Sequence, residues 1–167
     1  APSPLPVSLP SIAIGSRALL DMARCYTGRP LLWRLGYVSE EDLVMFGLWY
    51  GFHHPSFLSS LLVTLPTFSQ PRTLFLRLRS VFPREHSRAL AMGMGAEVVA
   101  GAGEFMHHFV LECGESFGRD MVEEVFEFLA GLAGLADPLS PAHPRIVAVC
   151  ETLTKKFSQD EDADLST

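Results

Sequence analysis

The sequence predicts an all-α fold of about seven to eight helices, arranged as stacked antiparallel hairpins in a short α-solenoid. Apolar residues recur at helical spacing, while alternating Val/Ile/Thr-rich runs with Asn-Gly or Asp-Gly turns are absent. Proline and glycine interrupt the helical pattern repeatedly, which is typical of short turns between helices. A closed helical bundle of similar length is the alternative arrangement.

The first helices are delimited by capping and breaking residues. Ser11 can cap a helix that runs to about Cys25, and Gly28-Arg29-Pro30 stops it. Residues 31–35 form a short second segment. Ser39-Glu40-Glu41-Asp42 is a capping box, whose acids also suit the positive end of a helix dipole, so it predicts the clearest helix start.

The stretch 43–71 contains no Asp, Glu, Lys or Arg and is long enough to raise the question of a membrane span. His53-His54-Pro55 lies near its middle and would leave polar groups unsatisfied in lipid. We therefore expect two short buried helices, 40–53 and 55–65, that fold back on one another. Proline suits the start of the second helix because the first helical N–H has no partner there.

The remaining helices are also delimited by proline and glycine. One helix opens at Ser69-Gln70-Pro71 and is expected to end at Pro83, because proline lacks the N–H that a helix interior needs. Small residues such as Gly93, Gly95 and Gly101 in the next segment indicate close helix packing. The later helices are expected over 84–101, 104–117 and 119–135, with a last one from Pro141 to Phe157.

The helix openings are spaced at an interval that suits a helical-hairpin repeat. They fall at Ser11, Ser39, Ser69, Gly103 and Ser140, with spacings of 28, 30, 34 and 37 residues. The domain organisation that follows is a Pro-rich extended arm over residues 1–10, a single all-helical domain over 11–157, and an acidic disordered tail over 158–167.

Composition excludes several classes of protein. Apolar residues make up 48% of the chain and charged residues 19%, which excludes disorder for most of its length. Residues 1–90 hold 9 basic against 5 acidic residues, whereas residues 91–167 hold 4 against 14. The 3 widely spaced cysteines indicate a reducing compartment. The start at Ala1 fits either a removed presequence or an experimental boundary.

No catalytic constellation is visible, and we expect neither enzymatic activity nor a cofactor. Glu104-x-x-His107 has the spacing of half a dinuclear metal motif, but the second half is missing. A metal-dependent hydrolase or oxidase using Glu104, His107 and His108 is the enzymatic alternative. Cys113 stands between Glu112 and Glu115, which raise rather than lower the pKa of a thiol.

Arginines in the basic half are the best candidates for partner contacts, because Arg and aromatic residues often dominate protein interfaces. These candidates are Arg72, Arg77, Arg79, Arg84 and Arg88, together with Trp49 and Tyr50. Other protein subunits are the expected partners. RNA is the alternative, because the arginines could contact phosphates, although few aromatic residues stand between them for base stacking.

The helix pairs at 39–65, 69–101 and 103–135 resemble degenerate pentatricopeptide- or tetratricopeptide-type hairpins in period and turn placement. Trp33-Arg34-Leu35-Gly36-Tyr37 does not match the tetratricopeptide consensus at its spacing, and no base-reading pair recurs at fixed positions. Gly118-Arg119-Asp120 resembles the Gly-Arg turn of B-cell-lymphoma-type apoptosis regulators, with Ser116-Phe117 in place of the usual Asn-Trp. This second resemblance implies a helical-bundle regulator.

In size, architecture and charge the chain is similar to the accessory subunit of about eighteen kilodaltons on the catalytic head of euglenozoan mitochondrial ATP synthase. That resemblance implies a non-enzymatic accessory subunit of a larger complex, located in mitochondria. Excess apolar surface points to the same kind of role. An RNA-binding helical-repeat protein of the mitochondrial ribosome or of RNA processing, and a B-cell-lymphoma-like regulator, are the alternatives.

Overall fold

A computed structural model describes residues 40–67 and 69–165, without side-chain detail at 64, 67 and 159–165. The all-α prediction is confirmed, and no strand occurs in these ranges. The arm 1–10, the predicted segments 11–25 and 31–35, and the cap Ser39 lie outside them. The described residues form six helices, α1 Glu40–Tyr50, α2 Pro55–Thr64, α3 Pro71–Ala91, α4 Gly95–Cys113, α5 Arg119–Leu135 and α6 Ala142–Leu165, with 3₁₀ turns at Leu65–Thr67 and Gly114–Ser116.

The helices form three successive pairs, which we call hairpin 1 (α1 and α2), hairpin 2 (α3 and α4) and hairpin 3 (α5 and α6). In hairpin 2, Phe75 stacks on Phe109 with ring centroids 6.1 Å apart, so α3 and α4 run antiparallel. In hairpin 3, the guanidinium of Arg119 lies 5.5 Å from the ring centroid of Phe157, which is also antiparallel.

Neighbouring hairpins stack in chain order. The Glu104 carboxylate pairs with Arg145, and a methyl group on Gly114 would approach Lys156, so α4 and α6 run in the same direction. Helix α4 contacts all five other helices, and every residue from 101 to 106 is buried. With three pairs, the stacked hairpins thus enclose α4 as the central helix of a bundle.

Glycine allows the closest helix contact in this core. A methyl group at Gly101 of α4 would overlap the carbonyl oxygen of Leu48 in α1, so the two backbones touch at this point. Gly47 of α1 faces the ring of Phe105, which a methyl group there would approach to 2.7 Å. The predicted close packing by small residues is therefore present between α1 and α4.

Two predicted helix boundaries are wrong. Pro83 lies inside α3, which continues to Ala91 and ends at a turn where Gly93 has a φ of 73°. Pro83 and Arg79 both lie on the exposed side, so the carbonyl that loses its hydrogen bond can be hydrated. Phe82 and Glu85 on the other side are buried and hold the helix in place.

The predicted break between 101 and 104 is also wrong, because α4 runs unbroken from Gly95 to Cys113. The buried glycines at 101 and 103 allow neighbouring helices to approach closely and do not end the helix. Hairpins consequently begin at residues 40, 71 and 119, and the expected opening at Gly103 lies in the middle of a helix. The regular spacing of openings predicted for a repeat does not hold in these ranges.

The other boundaries are close to expectation. The turn at His54-Pro55 is present, with His54 at the N-cap position of α2. Helix α6 continues past the expected end at Phe157, so helical backbone covers most of the predicted tail. Among the residues described, no helix combines the length and the apolar character that a membrane span requires.

Candidate functional site

The predicted arginine patch consists of two separate groups on opposite edges of α3. The first group, Arg77, Arg84 and Arg88, shares one side of the helix, whereas the second, Arg72 and Arg79, shares another. Arg84 and Arg88 pair with carboxylates of α1 and of α3 itself, and the second group pairs with a carboxylate of α5. All five arginines are exposed, but they lie on two sides of α3.

The first group surrounds the buried carboxylate of Glu85. Oε1 accepts a hydrogen bond of 3.0 Å from Nε1 of Trp49, and Oε2 accepts one of 3.1 Å from Nε of Arg84. Arg88 lies 3.6 Å from Oε1, and Nη2 of Arg84 also donates to Glu41 at 2.6 Å. The hydrogen bond to Glu41, and to a smaller extent the one to Glu85, raise the pKa of Arg84. Hydrogen bonds from Trp49 and Arg84 therefore connect α1 to α3.

The second group connects α3 to α5. Arg72 donates to both carboxylate oxygens of Glu124, at 3.3 and 3.4 Å, and Arg79 lies 3.9 Å from the same carboxylate. Arg79 also covers the ring of Phe75 at 5.6 Å from its centroid. Arg77 forms no ion pair with any residue in the described part of the chain. The remaining candidate, Tyr50, is half-buried beside Phe46.

A second buried carboxylate, Glu104, lies between α4 and α6. Its oxygens accept hydrogen bonds from Nε of Arg145 at 3.0 Å and from Nη2 at 3.1 Å. The Glu104 side chain is 7% exposed, whereas that of Arg145 is 43% exposed. Glycine at 103 brings the helices together here, since a methyl group would approach Ile146 to 2.9 Å.

Two histidines border the Glu104 carboxylate. Nε2 of His108 lies 3.5 Å from Oε1 of Glu104, but this buried nitrogen has no hydrogen-bond partner among the described groups. Burial lowers the pKa of both His108 and His107. The positive charge of Arg145 lowers the pKa of each histidine further. Across residues 40–67 and 69–165, no three His, Cys, Asp or Glu side chains are grouped to hold a metal ion.

The Glu104–Arg145 pair forms one side of a groove of about 530 Å³. The turn between α1 and α2 contributes Phe52 and Pro55, and the first turns of α6 complete the wall. The full set of lining residues is Phe52, Pro55, Glu104, Pro141, Pro144, Arg145 and Ala148. Side chains from all three hairpins therefore meet at this groove.

Sequence reasoning did not identify this groove. Glu104 was interpreted only as a possible metal ligand, and Pro141 and Pro144 only as a helix start. One usable signal was present, because a carboxylate among the small and apolar residues 101–106 must be buried and needs a cationic partner. Nothing in the sequence identifies that partner as Arg145.

Cys113 and the Gly-Arg turn also have defined positions. Burial, with a smaller effect of Glu112, raises the pKa of the Cys113 thiol to about 11, so the thiol stays protonated at neutral pH. Gly118 is the N-cap residue of α5, and Arg119 packs on Phe157. Neither feature borders the groove.

Four of the eight large exposed hydrophobic side chains in the described part of the chain lie near two of the three hairpin turns. Leu90 and Met92 are each 59% exposed at the α3–α4 turn, and Leu135 and Leu139 are 51% and 94% exposed at the α5–α6 turn. Because α4 and α6 run in the same direction, these turns lie at one end of the molecule, which we call the turn end. The α1–α2 turn joins it through the groove.

No protein-family model, no curated protein and no solved structure matches this chain. Function is therefore inferred from the chain's own geometry.

Proposed function

We propose that this protein is a non-enzymatic accessory subunit of a larger protein complex and that its turn end contacts the partner. The supporting observation is that Leu90, Met92, Leu135 and Leu139, which include the most exposed of the large hydrophobic side chains, lie at that end. Single exposed hydrophobic residues are ordinary, but several at one end of a molecule are typical of an interaction surface. Burying them against another chain would remove apolar area from water.

The catalytic head of mitochondrial ATP synthase is the first partner to test, because the resemblance in size, architecture and charge suggests it. A mitochondrial location belongs to the same proposal. The RNA-binding alternative is less well supported, because Arg72, Arg79, Arg84 and Arg88 already pair with carboxylates of the chain itself. Phosphate contacts would have to compete with those pairs.

Partner capture from the source organism tests the proposal. A tagged full-length chain is purified at moderate salt, and co-purifying proteins are quantified by mass spectrometry. The variant to compare carries glutamine at the four apolar positions of the turn end, Leu90, Met92, Leu135 and Leu139. We expect a stoichiometric partner with the wild-type chain and loss of most of it with this variant.

The matched control exchanges two equally exposed apolar residues at the other end of the molecule. Val63 and Leu111 are 61% and 53% exposed, and Val63→Gln with Leu111→Gln is expected to retain the partner. Helical content and the urea midpoint confirm that each variant folds. A wild-type chain that purifies without a stoichiometric partner would overturn the proposal.

A further inference from the structure

The groove at the turn end presents an apolar wall and one accessible cation. Phe52, Pro55, Pro141 and Pro144 supply rings to the wall. Proline has no backbone N–H, so three of these positions offer packing surface without a backbone donor. A ligand in this groove meets rigid apolar rings and, for hydrogen bonding, the guanidinium of Arg145.

The difference in exposure between the two paired side chains decides the sign of charge that a ligand meets. Both oxygens of Glu104 accept hydrogen bonds from Arg145, and the carboxylate is almost completely buried. Arg145 uses Nε and Nη2 for this pair, so Nη1 has no partner in the described part of the chain. The accessible donor is therefore cationic, and it suits an anionic acceptor.

The same pair fixes the orientation of the guanidinium. A bidentate contact with a buried carboxylate restrains the long Arg side chain before any ligand binds, so less side-chain entropy is lost on binding. The positive ends of two helix dipoles lie near the same place, because α2 begins at Pro55 and α6 at Ala142. Both features favour a carboxylate over a neutral acceptor.

The size of the groove limits what can enter. About 530 Å³ lies within the range of sites that hold small ligands or a few residues of peptide. A carboxylate alone would leave the apolar wall uncovered. A ligand that covers both parts needs a large apolar side chain and a carboxylate next to each other on one short segment.

We propose that this groove binds an extended segment of the partner polypeptide, in which an Asp or Glu side chain lies beside a large apolar residue. The carboxylate accepts a hydrogen bond from Nη1 of Arg145, and the apolar side chain packs between Phe52 and the prolines. This inference rests on the proposed role as an interaction subunit. It assigns the chemistry of one contact within that interface.

Selection from a phage-displayed library of random dodecapeptides tests the contact with the full-length chain. Enriched peptides are synthesised in two forms, with the acidic residue and with the corresponding amide. We expect enriched peptides to place an acidic residue within two positions of a large apolar residue. Dissociation constants should rise at least about tenfold for the amide form, since the hydrogen bond to a charged group is lost.

Variants of the protein locate the binding site. Ala148→Glu adds bulk to the groove wall and places a carboxylate one helical turn from Arg145, where it competes with the ligand for Nη1, and it should abolish binding. Ala130→Glu is the matched control, because Ala130 is also an exposed helical alanine but lies outside the groove. It should bind as the wild-type chain does.

A double-mutant cycle connects the peptide carboxylate to Arg145. Arg145→Gln should raise the dissociation constant of the acidic peptide by a factor similar to that of the amide substitution. Combining both changes should raise it no further. Enriched peptides that bind Ala148→Glu as tightly as wild type, or that lose nothing as amides, would overturn the inference. An unproductive selection would overturn it as well.

The partner-capture experiment separates this inference from the proposed function. A partner that is retained by Ala148→Glu but lost on substitution of the exposed Leu and Met residues would overturn the groove inference and leave the accessory-subunit proposal standing. A wild-type chain without any stoichiometric partner would overturn the proposed function, whatever the peptide selection yields.

Discussion

The junction between hairpins 1 and 2 and the junction between hairpins 2 and 3 each contain a glycine contact and a buried carboxylate, but they are closed to different degrees. In the first, Gly101 meets backbone of α1, and Glu85 is bonded by Trp49 and two arginines. In the second, Gly103 meets only the side chain of Ile146, and the single arginine on Glu104 keeps a free donor.

This difference separates a structural contact from a candidate binding site. In the first junction Glu85 is occupied by three donors, and the neighbouring groove of about 340 Å³ is lined by Arg77 and Arg84 but not by Glu85 itself. Side-chain contact leaves the second junction open at one end, where the groove begins. A buried carboxylate lies at both junctions, and only at the second does the carboxylate itself line a groove together with its arginine.

The largest expected effect distinguishes the two glycines. Gly101→Ala should destabilise the protein by more than about 3 kcal/mol, because the new methyl group overlaps the Leu48 carbonyl and two helices must move apart. Gly103→Ala should cost less, because the new methyl group approaches the side chain of Ile146 to 2.9 Å rather than backbone, and alanine favours the helix by about 1 kcal/mol. Urea unfolding measures both, and equal losses would contradict the proposed difference between the junctions.

The next largest effect compares the buried carboxylates Glu85 and Glu104, one at each junction. Arg145→Met leaves Glu104 without its arginine and should cost about 2–3 kcal/mol of unfolding free energy, since a buried charge loses its partner. Arg84→Met should cost about 1 kcal/mol, because Glu85 retains the Trp49 hydrogen bond and the nearby Arg88. Urea midpoints at pH 7.5 provide the measurement. A larger loss for Arg84→Met would reverse the comparison.

A smaller effect follows from the histidines at the second junction. Burial lowers the pKa of His107 and His108 in the folded protein below the value of about 6.5 in the unfolded chain. The unfolded state then binds more protons, so stability is complete above that value and falls as pH decreases through it. Glu104, Arg145 and Glu112 are the charged groups that act on His108.

Urea unfolding between pH 7.5 and 5.5 tests this dependence. The double variant His107→Gln with His108→Gln should show a flatter profile than the wild-type protein. His53→Gln is the matched control, because His53 is exposed at the α1–α2 turn, and its profile should follow the wild type. Identical profiles for all three proteins would show that these histidines do not contribute.

The smallest effect is expected at a glycine outside both junctions, which serves as a reference for the Gly101 and Gly103 substitutions. A methyl group at Gly131 in α5 would meet no atom within 4 Å. Gly131→Ala should therefore stabilise the protein by about 0.5–1 kcal/mol, through helix propensity and a less flexible unfolded chain. A lower free energy of unfolding in urea would contradict this prediction and show that the fold requires glycine at position 131.

Much of the fold could be predicted because its signals are local. Pro55 and Pro71 begin helices as expected, and α5 has the predicted bounds, since capping and periodicity depend on neighbouring residues. The predictions failed at Pro83 and at Gly101 and Gly103. At these positions tertiary packing overrides the local preference, because buried neighbours hold the helix together.

The candidate site was less predictable. Arg84 and Arg88 remain predicted partner contacts, and the structure adds that both contact the buried carboxylate of Glu85, which their position in the sequence does not indicate. Arg145 was not singled out at all. Pairing between residues about forty positions apart depends on how the hairpins stack, and charge patterns along the sequence carry no information about that stacking.

The sequence by itself determined the all-helical class, the turn within hairpin 1, the turn between hairpins 1 and 2, and the uneven distribution of charge, because periodicity, proline and charge act over a few residues. Tertiary structure alone decided which arginines neutralise the buried carboxylates. It also decided that Phe52, Pro55 and the start of α6 form one groove. These contacts arise only when three hairpins stack around α4, because each hairpin buries one face against the next.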